Sequence, residues 1–255
     1  MYSYKCTVSY EGTRYNGWQK QGNTTNTIQE KLEAILSKQI EEPIEISGSG
    51  RTDAGVHALG QVFHFHCSKL LFENGQQDIF LQELNHHLPK DIKVLTIDLC
   101  SNRFHARLNT VSKTYRYQID ISPYGNLFMR NVSHHIATPL DVTAMKKGSC
   151  FLTGTHDFKS FCSNKRMKKS SIRTIYSIEI EEDSSNQLLT LTYTGDGFLY
   201  NMVRILSGTL IEIGLGLRDP MEIPDILAGC NRGLAGHTAP AQGLFLVSVK
   251  YPDNL

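Results

Sequence analysis

The spacing of apolar positions divides the chain into short strands and helices in a recurring order. Tyr4–Tyr10 alternates as a half-buried strand does, and "EGTRYNGWQKQGNTTN" behind it is a long glycine- and asparagine-rich loop. Thr27 followed by Glu30 has the T-x-x-E spacing of a capping box, and Ile28, Leu32, Ile35 and Leu36 recur on one helical face. Ile44 and Ile46 end a short strand. A loop beginning at Ser47 leads to a second alternation over Gln61–Cys67, in which Phe63, Phe65 and Cys67 oppose Val62, His64 and His66. Phe80, Leu81, Leu84 and Leu88 predict a helix over Gln77–Leu88, stopped by Pro89, and Ile92–Leu99 is a further strand.

The second half follows the same plan. It reads as a strand over Val111–Ile121, a helix over Leu140–Phe151, a strand pair Ile172–Glu182 and Gln187–Thr194, a long helix Phe198–Gly216 and a closing strand Leu244–Tyr251. Strand, helix, strand, strand, helix, strand is the order of the split β-α-β unit of ferredoxin-like folds. The expectation is therefore an α+β protein of two ferredoxin-like subdomains with antiparallel sheets, residues 1–104 and 105–255, meeting at a central cleft suited to a ligand. The likeness of the halves lies in element order alone, because no residue-level repeat is visible.

Composition narrows this picture only slightly. The 255 residues are 40% hydrophobic and 20% charged with a net charge of +1, values of a soluble globular chain. No apolar run approaches the ~18 residues of a membrane span, and "MYSYKCTVSY" has no signal-peptide character, so a cytoplasmic location is expected. Cys6, Cys67, Cys100, Cys150, Cys162 and Cys230 are scattered without a C-x-x-C pair or zinc spacing, and read as thiols. The charge is uneven: "KRMKK" at Lys165–Lys169, with Arg173 close behind, reads either as a solvated loop or as a contact to a phosphate backbone.

The stretch "GSGRTDAGVHALGQVFHF", Gly48–Phe65, carries the densest chemistry. Gly48, Gly50 and Gly55 permit positive φ and close backbone approach, and Asp53 sits among them ahead of a strongly patterned strand that holds the loop in place. By itself such an aspartate reads as the cap of an Asx turn. The loop is neither G-x-x-x-x-G-K-[ST] nor a G-x-G-x-x-G that opens a helix, and "GLGLRD" at Gly214 reads as a glycine stop after a helix. His64 and His66 share one strand face at a spacing able to bind metal but lack a third ligand nearby, so they are taken as strand positions. The pairs His134/His135 and His86/His87 cannot point the same way from a regular element.

This stretch resembles the signature of TruA-type tRNA pseudouridine synthases, in which the aspartate of R-T-D-A-G-V-H-A is the nucleophile. "YEGTRYNGWQKQ", "FHARLNTVSKTYRYQI", "GTHDFKSFC", "GDGFLYNMVRILSGTLIEIG" and "HTAPAQGLFLVSVKY" resemble further segments of the family in the family's order. Glu11 stands where many relatives carry aspartate. The resemblance implies an isomerase acting on tRNA, converting uridine to pseudouridine at positions 38–40 of the anticodon arm without cofactor or metal. It assigns Asp53 the covalent adduct, at the sugar or at the base. Arg204 is its guanidinium partner and Tyr115 stacks on the target uracil as proposed acceptor of the C5 proton.

Elementary chemistry accords with those roles. A carboxylate nucleophile must be ionised yet poorly solvated, which asks for a fixed cation. On the helix from Phe198, the residues Phe198, Leu199, Met202, Ile205, Leu206, Leu210 and Ile213 form an apolar arc, and Arg204 lies opposite, on a face whose other members are uncharged apart from Glu212. So sparse a face predicts that something covers it. At ~4 Å an arginine favours the anion by ~4 kcal/mol at an effective dielectric of 20. Periodicity alone makes Tyr115 a core or cross-strand aromatic. The uridine must leave its stack to reach a recessed carboxylate. Arg51 is expected to hold the flipped nucleotide or its phosphate, and Leu244 to wall the pocket. Arg14, Tyr15, Trp18 and Lys20 in the first loop are expected to touch the tRNA backbone. The family further implies a homodimer that grips one tRNA. Two other readings stand beside this one: a non-catalytic RNA-binding module built on paired sheets, which gives the central aspartate no task, and a hydrolase using Asp53 with His57 as base.

Overall fold

The first alternation forms β1, Tyr2–Tyr10, in the computed structural model, which describes residues 1–73, 75–164 and 166–252. Helix α1, Ile28–Ile40, starts where the capping residue predicts: the Thr27 side chain accepts the Glu30 amide. Its apolar face buries Ile28, Leu32 and Leu36. The expected strand at Ile44–Ile46 is displaced. Here the amides of Ile44 and Ile46 donate to the Ser37 hydroxyl and to Glu33 Oε1 instead of to a ladder, and the strand, β2, is Ser47–Gly48. Then come β3, His57–Cys67, α2, Gln77–His87, and β4, Ile92–Cys100. β4 and β3 flank β1, both antiparallel to it, and β2 pairs with β3 opposite Phe63 and His64. That order, 4-1-3-2, is the split β-α-β arrangement.

The second half opens with β5, Ser112–Asp120, and a short β6, His134–His135. Helix α3, Val142–Cys150, is capped by Asp141, whose side chain accepts the Ala144 amide. β7, Gly154–Asp157, β8, Ile172–Asp183, and β9, Leu188–Gly195, follow; β9 lies antiparallel between β5 and β8, and β7 extends the edge beside β8. Helix α4 is Met202–Gly214, shorter at its start than the pattern from Phe198 predicts, because Asn201 takes a left-handed backbone at φ 60 and resets the chain. A short α5, Ile223–Ala228, precedes the closing strand β10, Leu244–Lys250.

The fold is thus α+β with a split β-α-β order in each half. One compact unit comprises Met1–Val111 together with the chain from Leu246, the other Ser112–Phe245. The expected division at 104/105 follows chain order, whereas the closing strand from Leu246 groups with the first unit, beside β3. In the first unit Tyr4, Cys6, Val8, Phe63, Phe65, Leu32 and Leu36 are buried; in the second, Tyr117, Tyr193, Ile205, Leu206 and Leu210. Each such large apolar side chain contributes about 1.5–3 kcal/mol by leaving water. Nearly every position of α4 is buried, Arg204 and Glu212 being the half-exposed charged ones.

Candidate functional site

In the first unit the loop that carries Asp53 is tied down on both sides of that residue. The Ser49 amide donates to the Val62 carbonyl at 2.7 Å, the Ser49 hydroxyl to Gln61 Oε1 at 2.5 Å, and Gln61 Nε2 to the Gly50 carbonyl at 2.9 Å. Thr52 is held twice, its hydroxyl sharing a 2.9 Å hydrogen bond with Tyr10 and its carbonyl accepting the Trp18 amide at 3.0 Å. Burial raises the Tyr10 pKa, so this phenol stays neutral. Past Asp53 the Val56 amide donates to the Asp53 carbonyl at 3.1 Å and closes a turn whose third residue, Gly55, sits at φ 79, a conformation that costs glycine nothing. The first loop presses against this turn: a Cβ on Gly12 would lie 2.0 Å from the Val56 carbonyl oxygen, so only glycine fits. Asp53 itself is half-buried.

Neighbouring residues divide into supports and exposed groups. His57 is 1% exposed and its Nδ1 accepts the Gly12 amide at 2.9 Å, so it fastens the first loop to the turn. Arg51 is exposed, and its Nε donates to Gln19 Oε1 at 3.0 Å. Arg14 and Lys20 are engaged by acids: Arg14 bonds Asp91 through Nη2 at 2.6 Å and Nε at 2.8 Å, and Lys20 lies 3.4 Å from both Glu30 and Glu33. Tyr15 and Trp18 depart from expectation. Both are core residues, 4% and 2% exposed, Trp18 packing on Tyr10 and Phe63, and the Tyr15 hydroxyl donating to Asp91. A loop rich in Gly and Asn hides this, because aromatic residues in such loops carry no periodicity to mark which are inward.

In the second unit Tyr115 and Tyr117 share one face of β5. Tyr115 is 8% exposed, its ring edge-on to Phe198 at 5.2 Å between centroids. Tyr117 is fully buried and its hydroxyl donates to the Pro240 carbonyl at 3.0 Å; burial raises its pKa, with the Arg204 charge acting against that rise. Arg204 donates from Nε to the Ala239 carbonyl at 2.8 Å and from Nη1 to Asn201 Oδ1 at 3.0 Å. The sparse face of α4 is covered as its composition predicts, in this unit by the strap Gly236–Pro240. Its Gly236 amide donates to Thr209 Oγ1, its His237 amide to Glu212 Oε1 and its Ala239 amide to the Arg204 carbonyl. Leu244, 5% exposed, opens β10.

Two groups stand apart from these. His64, His66 and His105 form a ring cluster, with His64 at 5.4 Å from His66 and 4.8 Å from His105 between centroids. His64 is buried and accepts the Ala106 amide on Nδ1; burial, then the two neighbouring rings, push its pKa down to about 4. Among the described residues no group of three or more His, Cys, Asp or Glu is placed to hold a metal ion. Of the basic run, Lys165 lies outside the described residues, and Arg166, Lys168 and Lys169 are exposed. Among the described residues no helix is long and apolar enough to cross a membrane.

Comparison with known proteins places this geometry in context. A family model described as tRNA pseudouridine synthase matches residues 7–109 and 151–252. The tRNA pseudouridine synthase A 2 of Bacillus cereus (strain ZK / E33L) is 43% identical over 251 residues, covering 98% of this chain and 100% of the relative. The tRNA pseudouridine synthase A of Brevibacillus brevis is 43% identical over 247 residues, with 97% and 98% covered. That of Bacillus sp. (strain KSM-64) is 45% identical over 251 residues, with 98% and 100% covered.

Proposed function

The chain belongs to the tRNA pseudouridine synthase family, and on that premise we propose that it isomerises uridines 38–40 of the tRNA anticodon arm with Asp53 as nucleophile. Residues 1–104 bring Asp53, and residues 105–255 bring Tyr115 and Arg204. In this reading the target uridine is flipped from its stack and its uracil rests on Tyr115. Asp53 forms a covalent adduct while the C1′–N1 bond breaks, the uracil is turned, and C5 joins C1′ in place of N1. The proton lost from C5 passes to a base, for which Tyr115 is the candidate, and N1 gains one, so that nothing is added or removed overall. Arg204 keeps the Asp53 carboxylate ionised. Arg51 holds the flipped nucleotide or its phosphate, and Leu244 walls the pocket. Arg14 and Lys20, each already paired with a carboxylate, contribute at most weak tRNA contacts after exchanging partners. The enzyme acts in the cytoplasm as a homodimer whose two chains grip one tRNA.

The observation that carries this reading is the family match across both halves of the chain together with the rigid, glycine-built turn at Asp53. A turn fixed by Thr52, Gln61, His57 and the first loop gives a nucleophile the fixed position that covalent catalysis demands. The test is tritium release from tRNA labelled at uracil C5, wild type beside Asp53→Asn. Release by wild type alone supports the proposal. Release by neither, with tRNA still bound, supports a non-catalytic RNA-binding module.

A further inference from the structure

Asn201 occupies the N-cap position of α4 yet makes no capping hydrogen bond. Asparagine is among the best N-cap residues, since its side-chain oxygen ordinarily accepts an amide of the first turn. Here that oxygen accepts Arg204 Nη1 at 3.0 Å, while Nδ2 donates to the Ser163 hydroxyl at 3.1 Å. The backbone of Asn201 stands at φ 60 and ψ 6, left-handed, where side-chain-bearing residues are uncommon and asparagine is tolerated best. Both departures, the unused cap and the costly backbone, accompany the placing of Oδ1 beside the guanidinium.

From a different nitrogen, Nε, the same guanidinium donates to the Ala239 carbonyl at 2.8 Å. That carbonyl is itself fixed. The Ala239 amide donates to the Arg204 carbonyl at 3.1 Å, and the strap preceding it lies so close to α4 that a Cβ on Gly208 would meet the His237 carbonyl oxygen at 2.0 Å. The guanidinium therefore has one acceptor on the helix start and one on the strap. Two acceptors on two nitrogens set both its position and the rotation of its plane, and a planar fork grips a carboxylate well only in a narrow range of orientations.

We infer that Asn201 is a positioning residue for the reaction, holding Arg204 in the orientation that receives the nucleophilic carboxylate, with the Ala239 carbonyl as the second jaw of the clamp. The inference rests on the reading of Arg204 as the partner of Asp53, so the test separates the two. Asn201→Gly keeps the left-handed turn and removes the side chain. It is compared with wild type, with Arg204→Lys and with the double variant, in steady-state conversion of tRNA uridine at saturating tRNA across pH, alongside thermal melting and tRNA affinity.

The expected result for Asn201→Gly is a loss of about tenfold or more in kcat, the scale of one hydrogen bond to a charged group. tRNA affinity should stay within about threefold, and the acid limb of the kcat profile should move to higher pH as Asp53 loses part of its cationic support. In the Arg204→Lys background the same substitution should add little, since the clamp then has no guanidinium to orient. Asn201→Asp serves if the glycine variant melts below the assay temperature. It keeps Oδ1 but shares the guanidinium between two carboxylates, so its acid limb also moves to higher pH while the alkaline plateau of kcat is kept. Arg204→Lys with unaltered kcat would remove the parent reading. An impaired Arg204→Lys beside Asn201 variants with unchanged kcat and unchanged acid limb would overturn the clamp alone, as would a fully additive double variant.

Discussion

Replacing Gly12 by alanine tests whether the position of the Asp53 turn is set by the first loop. An added Cβ would stand 2.0 Å from the Val56 carbonyl oxygen and 2.7 Å from its carbon. Ordinary contact lies near 3.5 Å, so one backbone must retreat by roughly 1.5 Å. Gly12 cannot easily be the one to move, since its amide donates to buried His57. Val56 cannot move alone either, because its amide closes the turn on the Asp53 carbonyl. The displacement therefore reaches Asp53, the proposed nucleophile. Overpacking of this kind costs about 1–3 kcal/mol, which for a chain of this size lowers Tm by roughly 2–12 °C. A misplacement of about 1 Å at reacting groups costs on the order of 100-fold in rate. The assay is tritium release under saturating tRNA at a temperature well below the variant's Tm, with Gly22→Ala as control, since nothing lies within 4 Å of a Cβ there. The expected pattern is a kcat lowered about 100-fold in Gly12→Ala and unchanged in the control. Wild-type kcat and Tm in Gly12→Ala would refute the reasoning.

Three other outcomes follow from the same structure. Arg204→Lys should lower kcat substantially, because an ammonium cannot reproduce a two-pronged hold on a carboxylate, and unaltered kcat would count against the pairing. Replacing Lys165, Arg166, Lys168 and Lys169 together by glutamine should flatten the dependence of tRNA affinity on salt, by somewhat less than one unit of log-log slope for each phosphate contact removed; an unmoved slope makes the run a solvated surface. His64 carries a pH test of stability. Its pKa of about 4 in the fold lies below the ordinary 6.5, so between these values the unfolded chain binds the extra proton and stability falls as pH drops, by up to about 1.4 kcal/mol per pH unit. Urea midpoints at pH 7 and pH 5 should differ more in wild type than in His64→Asn, and equal differences would contradict the assignment.

Where the sequence was legible, one physical rule dominated locally. The Thr27 cap marked the start of α1, and apolar periodicity marked α2 and α3 to within a residue or two. It failed where side chains competed with backbone. Glu33 and Ser37 take the amides of Ile46 and Ile44 out of any ladder, and nothing in the pattern of those residues announces it. α4 starts later than its pattern because the apolar periodicity runs on from Phe198 and Leu199 to Met202 while the backbone turns left-handed at Asn201. The residues proposed for the chemistry were named by resemblance and residue type. The contacts around them were not: Gln61, Thr52 and the Ala239 carbonyl bond to residues distant in sequence and leave no local pattern. Trp18 and Tyr15 show the converse, as residues whose type suggested RNA contact and whose burial gives them to the core.

The claim on which the rest depends is that the Asp53 carboxylate performs the isomerisation. It is tested most directly by single-turnover reaction of an anticodon stem-loop bearing uridines at 38–40 with wild type and with Asp53→Asn, the nucleosides being separated after digestion and both proteins matched for Tm and RNA affinity. The account predicts pseudouridine from wild type and none above background from Asp53→Asn. Turnover by Asp53→Asn within about tenfold of wild type, well short of what losing a covalent nucleophile costs, would contradict it.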